Sequence, residues 1–348
     1  MEQTELTVTG ARSVQMGQWQ TNLSQSALTL SPEQVHTLET LLNDRYLPSV
    51  RRRFPEQHPE GNLMMHNFSA PAPVVRFDMA PLDSHDGSSH GVYEIEANTA
   101  GHSIAMQAGL PIHVYLSAAL KKMGITRLGY AVTESRQDQD WDLRLLMDGL
   151  KAQGIDVQPV DLMNGVADFT PLWLRSGQED LDPDGLVMPR FNQCLQWHID
   201  GGGEKSYLFD IDPTAVRLSE VGNLAAYLEQ HKAGVVLKEI GGWGTRNVEI
   251  LARQQPHKKK SITQARLVKQ IDRIFEYDDP SRYLLQAFVP PTAVDGGFMM
   301  WRVMGVYDAH SDRYRVVGGL WNWRRSLKLH GADDAVFGQI DIPSRLQF

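Results

Sequence analysis

The stretch Ile125 to Val160 constrains the fold more than any other part of this chain. Leu128-Gly129-Tyr130-Ala131-Val132 reads as a strand, Trp141 to Ala152 carries Leu143, Leu146 and Leu150 on one helical stripe, and Ile155 to Val160 reads as the next strand. Strand, helix and strand predict a parallel pair, because parallel strands need a long crossover connection. Thr133-Glu134-Ser135-Arg136 stands where a dinucleotide site would need G-x-G-x-x-G, so the unit reads as a scaffold lobe that can hold a substrate.

The other elements are shorter. The first twenty residues are polar and aperiodic and predict a loosely held start. Ser31-Pro32-Glu33 opens a helix, with Ser31 as cap and Val35, Leu38, Leu41 and Leu42 at helical spacing, and Phe54-Pro55 is expected to end it. Further helices are expected over Ile104 to Met123, Leu218 to Gln230 and Thr263 to Phe275, and a strand over Gly185 to Pro189. Phe298 to Tyr307 and Arg313 to Leu320 predict an antiparallel pair around a turn at Ala309 to Asp312. His198 to Ser206 is a near miss to a P-loop, with Glu204 where glycine should precede Lys205, and is not read as one.

Two stretches carry chemistry. In Val235 to Ile250, a buried strand ends on Lys238, a loop carries Gly241, Gly242 and Gly244, and a second short strand passes through Val248 and Ile250. Glycines at that density let successive backbone N–H groups approach phosphate oxygens, and the lysine adds a point charge. A tight hairpin turn with an exposed lysine accounts for the same residues. In the second stretch, Pro73 to Asp78 and Gly91 to Asn98 read as two strands that could pair. Alternation puts Glu94, Glu96 and Asn98 on one face together with Val92, and Tyr93, Ile95 and Ala97 on the other. Carboxylate plus carboxamide is a hard-oxygen set suited to Mg²⁺, and Arg76 and Asp78 on the partner strand could set a cation beside it. An exposed face with ordinary charge pairs is the competing reading. Tyr283 to Val289 then runs into Pro290-Pro291, where a strand freed from its ladder could hydrogen-bond an adenine edge or be a plain edge strand.

Composition excludes several classes. With 348 residues, 42% of them apolar, the chain can bury a large core and reads as a soluble protein of two or three lobes. Its charge of -8 is spread, and His257-Lys258-Lys259-Lys260 reads as a solvated loop, so no nucleic-acid surface is expected. Cys194 is the one cysteine, which rules out an intrachain disulfide and fits a reducing compartment. No secretory signal or membrane-spanning run is read, so the cytoplasm is the expected location. His85 and His90 have no further ligand cluster and do not mark a zinc site.

The order of R-x-D (Arg76, Asp78), E-x-N-T (Glu96, Asn98), βαβ lobe, Leu237-Lys238 with a glycine-rich loop, and Leu285-Gln286-x-Phe288-Val289 resembles the circularly permuted ATP-grasp ligases, the group of eukaryotic-type glutathione synthetase and glutathionylspermidine synthetase. The resemblance implies an α/β (α+β) ATP-grasp fold with an inserted βαβ, Rossmann-like substrate lobe. Residues 1–122 would form the first part of the core, 123–200 the lobe, and 201–348 the ATP-binding lid and the rest of the core. It implies ATP and Mg²⁺, with Glu96 and Asn98 at the metal, and Glu94, which alternation sets on the same face, is the further candidate ligand. Lys238, Gly241, Gly242 and Gly244 would lie on the phosphates, with Gln286, Ala287, Phe288 and Val289 at the adenine. Arg76, Lys238 and Arg302 would be catalytic, and Asn322 is a looser positional match. Glu239, directly after Lys238, should point to the opposite strand face. The implied reaction joins a small-molecule carboxylate to an amine through an acyl phosphate. A small-molecule kinase and a non-catalytic nucleotide-binding protein remain as alternatives, and neither the substrates nor the oligomeric state can be read.

Overall fold

Strand pairing in the computed structural model, which describes residues 11–16, 19–57, 72–82, 89–97, 102–132, 137–161, 172–173, 203–240, 248–252, 264–325 and 334–343, divides the chain among three sheets. The first is mixed and contains β1 (Arg12–Met16), β2 (Trp19–Leu23), β3 (Leu28–Thr29), β4 (Val74–Met79), β5 (Val92–Ala97), β13 (Thr292–Val294), β14 (Gly297–Asp308), β15 (Arg313–Arg324) and β16 (Val336–Asp341). Its order is β1-β2-β16-β15-β14-β4-β5, with β3 on β16 and β13 on β14. The second sheet, β11-β10-β12-β9, uses β9 (Val216–Arg217), β10 (Gly234–Glu239), β11 (Val248–Ala252) and β12 (Tyr283–Ala287). The third, β7-β6-β8, is parallel and uses β6 (Arg127–Val132), β7 (Asp156–Asp161) and β8 (Leu172–Trp173).

The expected βαβ unit is present as β6, helix α5 (Gln137–Ala152) and β7 in parallel register. The turn after Tyr307, the pairing of the strands around Lys238 and Val248, and the pairing of the Arg76 and Glu96 strands also form as expected.

Five local expectations are corrected. Within the first twenty-three residues β1 and β2 pair antiparallel, while residues 1–10 lie outside the described residues, and β2 pairs in parallel with β16, a partner more than 300 residues away that no local pattern shows. Helix α1 (Pro32–Thr40) has the Ser31/Gln34 capping box, but the helical path continues through a π-turn at Leu41–Tyr46 into α2 (Leu47–Gln57) and passes Pro55 by two residues. Proline forfeits only its own N–H bond, and with just two residues of helix left beyond it, it marks the end approximately. The helix expected at Ile104 to Met123 is two, α3 (His102–Gln107) and α4 (Ile112–Lys122), because Gly109 adopts φ +107° and Pro111 cannot continue the ladder. The helix expected from Leu218 is a 3₁₀ turn at Leu218–Glu220 followed by α8 (Leu224–Gln230), restarted by the Asn223 side chain accepting from the Ala226 N–H. Finally, Val92 does not share the side of Glu94. Asp78 pairs with Glu94 and Met79 with Val92, so Tyr93 is an extra residue in β5, and Val92 joins Ile95 in the core.

One face of the large sheet carries Val75, Phe77, Met79, Ile95, Trp301 and Val303 and packs against α1, the π-turn and α7 (Leu208–Ile211). The opposite face is apolar at one end, where Val74, Met304, Val306 and Leu320 meet α4 and α5, and polar at the other. The second sheet buries Val235, Leu237, Tyr283 and Leu285 together with Leu218, Leu228 and, from α9 (Gln264–Tyr277), Ile271. Its other face, carrying Val236, Lys238 and Gln286, is turned to edge strand β5.

Close strand packing beside the polar face depends on Gly319, where a Cβ would stand 2.2 Å from the Arg302 carbonyl oxygen. Gly319→Ala is expected to cost about 1–3 kcal/mol by overpacking. Urea unfolding measures it.

Candidate functional site

Lys238 lies at the meeting of two sheets. It is 4% exposed, and its ammonium donates to the carbonyl oxygen of Tyr93 and to Gln286 Oε1, 2.8 Å away. The bulge at Tyr93 presents that carbonyl, while the Tyr93 hydroxyl donates to the Val289 carbonyl at 2.8 Å. Burial is the main influence on Lys238 and pushes its pKa down to about 8; Glu94 and Asp212 oppose the shift and Lys205 adds to it. Lys205, on α6 (Gly203–Ser206), is 3% exposed with Nζ 3.9 Å from Glu94 Oε1. Two buried lysines thus flank one carboxylate. Lys205 is not legible in the sequence: beyond the near miss to a P-loop, the Glu204-Lys205-Ser206 triplet carries no positive signal.

Gln286 is enclosed as well. Its Nε2 donates to the Val92 carbonyl and to Asp212 Oδ2, both at 2.7 Å. Asp212 is fully buried and also accepts from Ser89 Oγ at 2.5 Å, from the Thr214 N–H at 2.9 Å and from Thr214 Oγ1 at 2.7 Å. At the expected adenine strand, the Ala287 N–H donates to Thr214 Oγ1 and the Phe288 N–H to the Gly234 carbonyl. Together with the Val289 carbonyl, which accepts from the Tyr93 hydroxyl, these backbone groups have internal partners, supplied by the Thr214 side chain before β9, by Gly234 at the start of β10 and by β5.

The polar end of the large sheet is organised by register. Arg302 pairs with Asp78 and Asp78 with Glu94 across three strands, and Arg76 pairs with Glu96 in the next row. Arg76 Nε sits 2.9 Å from Asp78 Oδ1, and Arg302 Nε sits 3.5 Å from Asp78 Oδ2. Arg324 lies on the same face two residues from Asn322; burial lowers its pKa, Asp334 opposes the shift and Arg302 adds to it. Among the described residues, neither Nδ2 nor Oδ1 of Asn322 has a hydrogen-bond partner, although the side chain is buried. A buried amide of this kind is suited to an oxygen-rich ligand.

The structure therefore brings Arg76, Asp78, Glu94, Arg302, Lys238 and Gln286 together on and against β5, where the two sheets meet. Glu239 faces away, as its strand position requires, and pairs with Arg282. The Glu96 side chain, Asn98, and the loop with Gly241, Gly242 and Gly244 lie outside the described residues, as do Gly185 to Pro189. No group of three or more His, Cys, Asp or Glu forms a metal cluster among the described residues, and none of their helices is long and apolar enough to cross a membrane.

No protein-family model and no curated protein matches the chain. Among solved structures, a candidate gamma-glutamylcysteine synthetase from Methylobacillus flagellatus KT is similar at 12% identity and a TM-score of 0.43, covering 84% of each chain. A glutathione synthetase-like effector from Globodera pallida is similar at 10% identity and a TM-score of 0.46, covering 92% of this chain and 90% of its own.

Proposed function

We propose that this chain is an ATP-dependent carboxylate–amine ligase working through an acyl phosphate. The observation that carries this reading is Lys238, a buried ammonium that faces the carboxylate strand from a separate sheet. Burying a lysine is costly unless a task requires its charge there. ATP phosphates between the sheets would meet Lys238, Lys205 and the Gly241–Gly244 loop, with the adenine toward 286–289. That position requires the Thr214–Ala287 bond to exchange.

Mg²⁺ would be held by Glu94, Glu96 and Asn98. The Glu94 carboxylate, held there with only 13% of its side chain exposed, fits an all-oxygen shell. When bound, the ion neutralises charge on the transferring phosphoryl group. A substrate carboxylate oxygen attacks the γ-phosphorus and ADP leaves; an amine nitrogen then attacks the acyl carbon, phosphate departs and the amine gives up a proton. Arg76 and Arg302, anchored by Asp78, would fix the carboxylate, so their contribution is position and field.

Nucleotide affinity should report the Lys238 proton. The free protein loses it at about pH 8, whereas bound phosphates favour the ammonium, so binding takes up a proton above that pH. MgATP affinity, measured by calorimetry, is expected to hold below pH 8 and then fall by about tenfold per pH unit. A flat profile from pH 7 to 9.5 would remove Lys238 from the nucleotide site.

A further inference from the structure

Four hydrogen bonds converge on Asp212, and their geometry decides how Lys238 is held. Oδ1 accepts both bonds from Thr214, and Oδ2 accepts from Ser89 Oγ and Gln286 Nε2. With Nε2 committed to Asp212 and to the Val92 carbonyl, the Gln286 amide has one orientation, which leaves Oε1 facing the ammonium. A glutamine without those acceptors could flip and present its NH₂ group to Lys238, setting donor against donor. Asp212 itself does not touch Lys238; the amide stands between them.

We infer that Asp212 is a positioning residue that locks the Gln286 amide so that Gln286 Oε1, with the Tyr93 carbonyl, holds Lys238 against β5. This rests on the reading of Lys238 as the nucleotide-phosphate lysine. Asp212→Asn is nearly isosteric but turns Oδ2 into a donor. Gln286 must then flip to give it an acceptor, and the flipped amide opposes both Lys238 and the Val92 carbonyl. Changing the pair together restores the contact between them: in Asp212→Asn with Gln286→Glu, the new carboxylate accepts from the new amide and from Lys238 and the local charge is unchanged, while the Val92 carbonyl loses the donor that Gln286 gave it. Ser89→Ala removes a bond to the same Oδ2 without inverting Gln286, so it separates positioning from general loss of contacts.

MgATP titration of these variants tests the inference. Asp212→Asn and Gln286→Glu alone should each weaken binding by about tenfold or more, the double exchange should bind more tightly than either and recover part of that loss, and Ser89→Ala should stay within about twofold. If Asp212→Asn does not fold, the double exchange is compared with Gln286→Glu and must bind more tightly. A double exchange no better than either single change, or an Asp212→Asn protein that binds as the parent does, overturns it. The ¹³Cε resonance of Lys238, assigned by its loss in Lys238→Arg, should move in Asp212→Asn and return toward its original position in the double exchange. That readout needs no nucleotide: an unbound parent protein would count against the ligase reading alone, and an unmoved resonance would count against the lock.

Discussion

Lys238→Met is expected to abolish MgATP binding, by about 100-fold or more, while lowering the stability of the fold by no more than about 3 kcal/mol. Truncating one member of a buried charge-assisted contact usually costs about 2–5 kcal/mol of affinity, which sets the first figure. The second follows from opposing terms. Depression of the lysine to about 8 means that its surroundings, burial foremost and offset in part by Glu94 and Asp212, disfavour its charge by on the order of 3 kcal/mol, and methionine relieves that cost in a similar volume. Against this, the Tyr93 carbonyl and Gln286 Oε1 each lose a donor, at about 1–3 kcal/mol apiece. These terms oppose each other, so unfolding free energy in urea should fall by no more than about 3 kcal/mol. Calorimetry and urea unfolding on one preparation measure both quantities; a strongly destabilised variant that still binds nucleotide would reverse the assignment.

Asp78→Asn is expected to do the opposite, with a large loss of stability. Asp78 is 2% exposed and stands between Arg76 and Arg302. Removing its charge leaves two buried guanidinium groups on one face with Arg324, which Arg302 already disfavours. Breaking a buried pair by deleting one partner costs about 3–5 kcal/mol. The exposed Arg127–Asp156 pair, 3.2 Å apart with both side chains about half exposed, is the contrast: Asp156→Asn should cost under about 1 kcal/mol. A loss below about 1 kcal/mol for Asp78→Asn would show that the three arginines do not depend on it.

The parts of this molecule legible in sequence are those whose signal is local. The βαβ unit, the hairpin closed at Ala309 to Asp312 and the strand ending on Lys238 each declare themselves within one short contiguous stretch by period and turn chemistry. The pairing of the R-x-D and E-x-N strands was legible too, but not the bulge at Tyr93, because an inserted residue is set by the partner strand. That bulge matters: it moves Val92 to the core and gives Lys238 its carbonyl partner. Parallel pairing of β2 with β16 rests on contacts across nearly the whole chain. Asp212 was passed over since its role lies in four partners brought from three separate segments, of which only the Asp-Pro-Thr turn is visible locally. Lys205 was likewise dismissed with the motif it failed to match, although burial beside Glu94 gives it a place in the site.

The central claim is that this site joins a carboxylate to an amine at the expense of ATP, and product analysis tests it most directly. The protein is incubated with MgATP and a panel of amino acids, dipeptides and polyamines, with Lys238→Met as control, and products are resolved by mass. The account predicts ADP and phosphate release that requires two substrates, together with an adduct lighter than their sum by one water and absent from the control. A phosphorylated product with no amide, or nucleotide consumption unchanged in Lys238→Met, would contradict it.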